Sequence, residues 1–181
     1  MAQIDYNQLA SDWVRVMRGE RSQPQLSRML GYSSNVLYTW ESGRRFPTAA
    51  NALKLLRLSK IDEADMWRTF FSSPPDWVGE RSVETSEGIV AVLQELKGDL
   101  PIKDLVERTG FSRFSISRWI RGQSEPKLPE FFALVEAMCF RLLDLLALTC
   151  DITALPSAVD AWTRVDRARR IAFEMPWSHA V

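Results

Sequence analysis

Catalytic chemistry finds little material in this chain. Its 181 residues contain one histidine, His179, so imidazole general bases, histidine-activated nucleophiles and histidine metal sites are not expected. No glycine-rich loop of the kind that cradles phosphates occurs. Asp62, Glu63 and Asp65 stand where a helix should begin, and there negative charge complements the helix dipole. They read as helix-start charges rather than as a catalytic group. Cys139 and Cys150 lie in a strongly apolar stretch and read as buried thiols, not as a disulfide or a metal site. The expectation is a protein that is not an enzyme and takes no cofactor and no metal. What remains are amides, hydroxyls and guanidinium groups. Gln23, Asn35, Ser42, Arg44 and Arg45 form one set, and Arg113, Arg118, Arg121, Gln123 and Lys127 form another. Such groups exchange hydrogen bonds and charge with a ligand without breaking covalent bonds.

The two sets sit in two copies of one unit. Gly19, Leu26, Gly31, Ser33, Trp40, Gly43 and Pro47 reappear as Gly98, Leu105, Gly110, Ser112, Trp119, Gly122 and Pro126, at a constant offset of 79 residues. Helical punctuation dominates, and no stretch alternates as paired strands do, so the fold class is all-α. The first copy should hold a helix over 6–18 ending before Gly19, one over 24–30 capped by Ser22, and one over 34–42 capped by Ser33 and stopped by Gly43. A fourth helix should start at Thr48 and a fifth at the Asp62 cap. The second copy repeats the order, with helices over 84–97, two short ones flanking Gly110, one over 129–138 and one over 140–149.

Ser72-Ser73-Pro74-Pro75-Asp76 should end a helix and stiffen the exit, which divides the chain into residues 1–73, a linker 74–83, a second unit 84–152, and a C-terminal helix and tail 153–181. In that last helix Ala158, Trp162, Val165 and Ala172 line one side, opposite Asp160, Arg164, Arg167 and Arg170. The apolar run from Phe131 to Leu148 is interrupted by Glu136, Arg141 and Asp144, whose charges disfavour a membrane span. No secretion signal is expected at the N-terminus. A cytoplasmic, nucleoid-associated protein is the expected setting. Net charge is zero, but its distribution is uneven. Residues 1–60 hold nine Arg or Lys against four acids, and residues 61–88 two against seven; 89–127 hold seven against five, and 128–160 one against five. Basic faces thus alternate with acidic segments, and a ligand meets a patch rather than a total.

A short helix, a glycine turn, and a second short helix ending in Trp-Glu-x-Gly with a later proline resembles the lambda-repressor-like, or XRE-type, helix-turn-helix. Gln23, Leu26, Gly31, Ser33, Leu37, Trp40, Glu41, Gly43 and Pro47 carry the resemblance in the first copy. The second copy keeps the skeleton but has Ile102 in place of Gln23 and Ile120 in place of Glu41. The resemblance implies two five-helix DNA-binding units in tandem and a sequence-specific regulator of transcription whose partner is double-stranded DNA.

On that resemblance, Leu37 and Trp40, with Ile116 and Trp119, face inward and hold the angle of a helix that enters the major groove. The outward base-reading set is Ser34, Asn35, Tyr38 and Thr39 in the first copy, and Arg113, Phe114, Ser115 and Arg118 in the second. An asparagine amide can bond both N6 and N7 of adenine, and an arginine fork suits guanine, which singles out Asn35, Arg113 and Arg118. Gln23, Ser42, Arg44, Arg45, Arg121, Gln123 and Lys127 should touch phosphates. Phe114 fits either a thymine methyl or a protein contact. Arg15 is expected to pair with Glu41, since the second copy lacks both charges and has Gln94 and Ile120 instead. The alternative is an interaction module in which only the first copy touches DNA. A homodimer or protein partner would then use a face of Phe140, Leu143 and Leu146, although these leucines could instead seal the two copies together.

Overall fold

A computed structural model of the chain describes residues 4–158. These residues form ten α-helices and one short 3-10 turn, and strand-like pairing is confined to two isolated bridges, so the chain is all-α. The helices are α1 (Tyr6–Arg18), α2 (Gln23–Met29), α3 (Val36–Glu41), α4 (Ala49–Leu58), α5 (Glu63–Phe70), α6 (Ser86–Lys97), α7 (Ile102–Thr109), α8 (Arg113–Ile120), α9 (Leu128–Cys139) and α10 (Leu142–Ala147). Side-chain oxygens of Asp5, Ser22, Thr48, Asp62, Thr85 and Ser112 accept the otherwise unpaired first-turn N–H groups of six of them. The offset of 79 residues survives in the structure: α2 and α7, α4 and α9, and α5 and α10 each begin at equivalent positions.

Several expected boundaries shift, two of them for reasons beyond the local sequence. α3 begins at Val36 and is capped by Asn35 rather than Ser33. The helix expected over 140–149 is shorter, because Phe140 takes a left-handed conformation (φ 55°) and closes α9 by donating its N–H to the Glu136 carbonyl. The Glu136 carboxylate then accepts from the N–H of Leu142 at 3.1 Å, so the Phe131–Leu148 run becomes two short helices at a corner. No helix among the described residues is long and apolar enough to cross a membrane. Of the expected C-terminal helix, only residues up to Ala158 are described; Leu155 and Ala158 are buried, and Ser157 donates to the Asp12 carboxylate at 2.8 Å. Asp160, Trp162, Arg164, Val165, Arg167, Arg170 and Ala172 lie outside the described residues.

The two halves meet through reciprocal contacts. The N–H of Ala49 donates to the Pro126 carbonyl at 2.9 Å, and the N–H of Leu128 donates to the Pro47 carbonyl at 3.0 Å. Ala49 and Leu128 are equivalent, as are Pro47 and Pro126, so each bond is the image of the other across an antiparallel bridge between Thr48 and Lys127. Helix contacts follow the same rule. α1 packs on α9 while its equivalent α6 packs on α4, and α4 touches α9. Contacts in which each half presents the same surface to the other are the mark of a two-fold relation.

One buried apolar cluster runs through both halves. Trp13 of α1 is fully buried, stands edge-on to Phe132 of α9 with centroids 5.9 Å apart, and donates its indole N–H to Thr149 at 2.9 Å. Leu142, Leu145 and Leu146 are buried in the same cluster. The stretch 74–83 lies against α5: Trp77 packs edge-on to Trp67 and Phe71, and the Glu63 carboxylate accepts from Ser82 Oγ and from the N–H of Val83. It then crosses α6 so closely that a Cβ on Gly88 would fall on the Ser82 carbonyl.

Candidate nucleic-acid interface

α3 is positioned by its buried side. Leu37 and Trp40 are buried, Tyr32 meets Trp40 edge-on at 5.7 Å, and Ser11 donates to the Trp40 carbonyl at 3.1 Å. α8 repeats the device with Ile116 and Trp119 buried and Phe111 edge-on to Trp119 at 5.5 Å. α2 packs on α3 and α7 on α8, each pair joined through a glycine at positive φ, Gly31 (88°) or Gly110 (73°), a conformation that a Cβ disfavours.

The ends of α3 and α8 differ. In α3, Ser27 Oγ donates to Asn35 Oδ1 and accepts from the N–H of Leu37, both at 3.3 Å, and Asn35 Oδ1 also accepts from the N–H of Tyr38 at 3.4 Å. This local polar cluster replaces the cap expected from Ser33 and delays the helix by two residues relative to α8, which Ser112 caps. In the second copy, Val106 and Phe114 stand where Ser27 and Asn35 stand, so both members of the pair are replaced together. Asn35 is exposed, but its amide oxygen is engaged in capping; its amide nitrogen remains for a ligand.

Glu41 lies at the base of α3 with 7 % of its surface exposed. Its carboxylate accepts from Arg18 Nε at 2.6 Å and from Gln23 Nε2 at 2.8 Å, whereas Arg15 Nε is 3.9 Å away. The expected Arg15–Glu41 ion pair is thus present, and Arg18–Glu41, one helical turn on, is the shorter of two. Arg15 also donates to the main-chain carbonyl of Glu41 at 3.1 Å, and Gln94 makes the same bond to the Ile120 carbonyl at 3.0 Å. Position 15 or 94 thus anchors the helix end, and the carboxylate gathers Arg18, Gln23 and, at longer range, Arg15. At the equivalent places Lys97, Ile102 and Ile120 remove the whole constellation. Gln23, expected at a phosphate, is held by Glu41 through its amide nitrogen.

The remaining candidates are distributed over the outer side. Ser34, Tyr38, Ser42, Arg44 and Arg45 are exposed, and Thr39 is half-buried with its hydroxyl donating to the Val36 carbonyl. The Arg44 guanidinium lies 5.4 Å from the Tyr38 ring centre. Arg113, Arg121, Gln123 and Lys127 are exposed on the second copy. Ser115 is half-buried and shares a 2.9 Å hydroxyl contact with Ser112. Phe114 is 70 % exposed, and the half-buried Arg118 covers its ring at 5.4 Å while donating to the Gln123 carbonyl at 3.4 Å. Arg44, Arg45, Arg113, Arg118, Arg121 and Lys127 form no salt bridge with any described residue. Cations without an acid beside them keep their charge available to an anionic ligand.

The suggested protein-docking face separates in the structure. Phe140 is exposed and Leu143 half-buried, but Leu146 is 1 % exposed and packs inside the seam between the halves. Cys139 and Cys150 are free and half-buried rather than buried, and desolvation raises both thiol pKa values. No group of three potential metal-ligating residues occurs among the described residues. Two residues that matter here were not singled out from sequence: Arg18 and Ser27. The exchange of Ser27 and Asn35 for Val106 and Phe114 was the available signal for one of them. Comparison with models of known families, with characterised proteins and with solved structures finds no match.

Proposed function

We propose that this chain is a sequence-specific double-stranded DNA-binding regulator of transcription, built from two lambda-repressor-like five-helix helix-turn-helix units. It acts in the cytoplasm by binding rather than by catalysis. The observation that carries the reading is the pair α3 and α8: each is pinned by a buried Leu or Ile and a buried Trp, and each presents its other side to solvent beside arginines that form no salt bridge with a described residue. A helix fixed in this way can lie in a major groove, with the preceding helix across the sugar-phosphate backbone. Tyr38 reads bases from α3, with Ser34 and the Asn35 amide nitrogen just before its first turn, while Arg113, Arg118, Phe114 and Ser115 read them from α8. Arg44, Arg45, Arg121, Gln123 and Lys127 position the duplex through phosphates.

The test is binding of the intact chain to duplexes selected from a random pool, followed over a range of salt. Replacing Arg44 and Arg45 with alanine should weaken binding to all sequences and reduce the salt slope by about 0.9 for each phosphate no longer neutralised. Arg118→Ala should instead relax preference at one base pair. A slope unchanged in the double variant would remove the phosphate role. The second reading, a protein-docking second half, draws on the exposed Phe114; it predicts that Arg113→Ala and Arg118→Ala leave DNA binding unchanged.

A further inference from the structure

The halves are joined by a two-fold relation rather than by translation, and the consequence for a ligand is specific. We infer that one chain reads two unlike half-sites in inverted orientation, at a single spacing, without a second copy of itself. This rests on the DNA-binding reading above.

Reciprocal bonds between Ala49 and Pro126 and between Leu128 and Pro47 place the local axis at Thr48 and Lys127. The paired packing of α1 on α9 and α6 on α4 extends the same relation through the seam. An axis of this kind carries α3 onto α8 while reversing direction, and a duplex crossing it meets equivalent surfaces with opposite strand polarity. Two copies of a unit related by simple translation would present direct repeats instead.

The chain also limits the separation. Seven residue steps lead from Glu41, the end of α3, to Thr48 at the axis, and seven lead from Ile120 to Lys127. At about 3.6 Å per residue, plus about 5 Å across the bridge, the two helix ends lie within about 55 Å of each other. One turn of B-DNA, about 34 Å, falls inside that limit. The loops along this path carry exposed Arg44, Arg45 and Arg121, with exposed Lys127 at the axis, so positive charge runs between the two helices where a continuous backbone would pass.

The surfaces that the axis relates are not alike. Asn35, Tyr38, Thr39 and Arg44 on the first half correspond to Phe114, Ser117, Arg118 and Gln123 on the second. Arg118 with Phe114 suits guanine beside a thymine methyl, a preference that the first half does not share. Of the face offered for a dimer, Leu146 is already buried inside the chain, and only Phe140 and Leu143 remain outside it.

The deciding experiment takes the duplex selected by the intact chain and maps it by hydroxyl-radical footprinting, with the mass of the complex measured by sedimentation. Expected are one 20.8 kDa chain per duplex and two protected blocks one turn apart that exchange by a two-fold rotation about one point. Inserting about five base pairs between the blocks should weaken binding about 100-fold, because the second half-site turns to the opposite face and its effective concentration is lost. Blocks repeating along the same strand, indifference to the insertion, or two chains per duplex would overturn the inference while leaving DNA binding intact. Failure to enrich any sequence would remove the DNA-binding reading and this inference with it.

Discussion

Where α2 meets α3, a buried carboxylate collects Arg18 and Gln23; where α7 meets α8, the same three positions hold Lys97, Ile102 and Ile120, with no carboxylate among them. Both arrangements hold a short helix at the same place in its half. The difference shows that polar partners enter and leave a packed site as sets. Removing one member strands the others, and a stranded buried charge costs more than the pair contributes. Ser27 with Asn35 against Val106 with Phe114 repeats the lesson. A third case crosses the seam: the N–H of Ala50 donates to the Glu125 carboxylate at 2.7 Å, while the equivalent positions are Pro129, which has no N–H, and Phe46, which is no acceptor.

The strongest way to break this comparison is to disturb one set. Arg18→Ala should cost about 3 kcal/mol in urea unfolding, since it leaves Glu41 buried without its nearest cation. The triple change Arg18→Lys, Gln23→Ile and Glu41→Ile imports the solution of the second half and should fall within about 1 kcal/mol of the parent. A triple variant as unstable as Arg18→Ala would show that the two supports are not interchangeable.

Next in size is Gly88→Ala, at the place where the first half has Leu9. The added methyl meets the Ser82 main chain of the joining segment, so overpacking should cost about 2 kcal/mol. A melting temperature equal to the parent's would mean that the crossing segment yields freely.

Glu125→Ala should cost about 1–2 kcal/mol by orphaning the N–H of Ala50, whereas the exposed Ser86 hydroxyl turns to water. Adding Ala50→Pro, the residue type found at the equivalent Pro129, removes the stranded donor in a first helical turn where proline is tolerated. The double variant should therefore recover part of the loss, and a strictly additive loss would refute the pairing.

The smallest effect is alkaline. Burial, with the Glu136 charge across the seam adding to it, pushes the Tyr6 pKa from 10.0 up to about 12. Below pH 10 both folded and unfolded chains keep this proton. Above it the unfolded chain releases the proton first, so stability should fall as pH rises from about 10 to about 12. The equivalent residue is Thr85, which does not titrate there, and Tyr6→Phe should flatten the alkaline slope. Parallel curves for parent and variant would count against the assignment.

Much of the helical frame was legible because its causes are local. α1 spans 6–18 as expected, and Ser22, Thr48 and Asp62 cap where their spacing from the next apolar turn puts them. The repeat was legible because glycine, tryptophan and proline each answer a conformational or packing need that another residue meets poorly. Boundaries failed where a distant group intervened. Ser27, eight residues before Asn35, supplies the hydroxyl that moves the start of α3, and Glu136 turns a continuous apolar run into a corner. The Arg15–Glu41 pair was legible but the shorter Arg18–Glu41 pair was not, because both arginines can reach the same end of α3 and only the packing of α1 sets which lies nearer.

By itself, then, the sequence determined that the chain is helical and duplicated, and which turns and caps punctuate it, since these follow from backbone preferences within a few residues. Tertiary structure decided how the copies face each other. Nothing in an offset of 79 residues distinguishes rotation from translation; that choice is made by Pro47, Ala49, Pro126 and Leu128 exchanging bonds across the seam. It also decided which polar side chains remain available to a ligand, because Asn35 and Gln23 are engaged by partners that become neighbours only on folding.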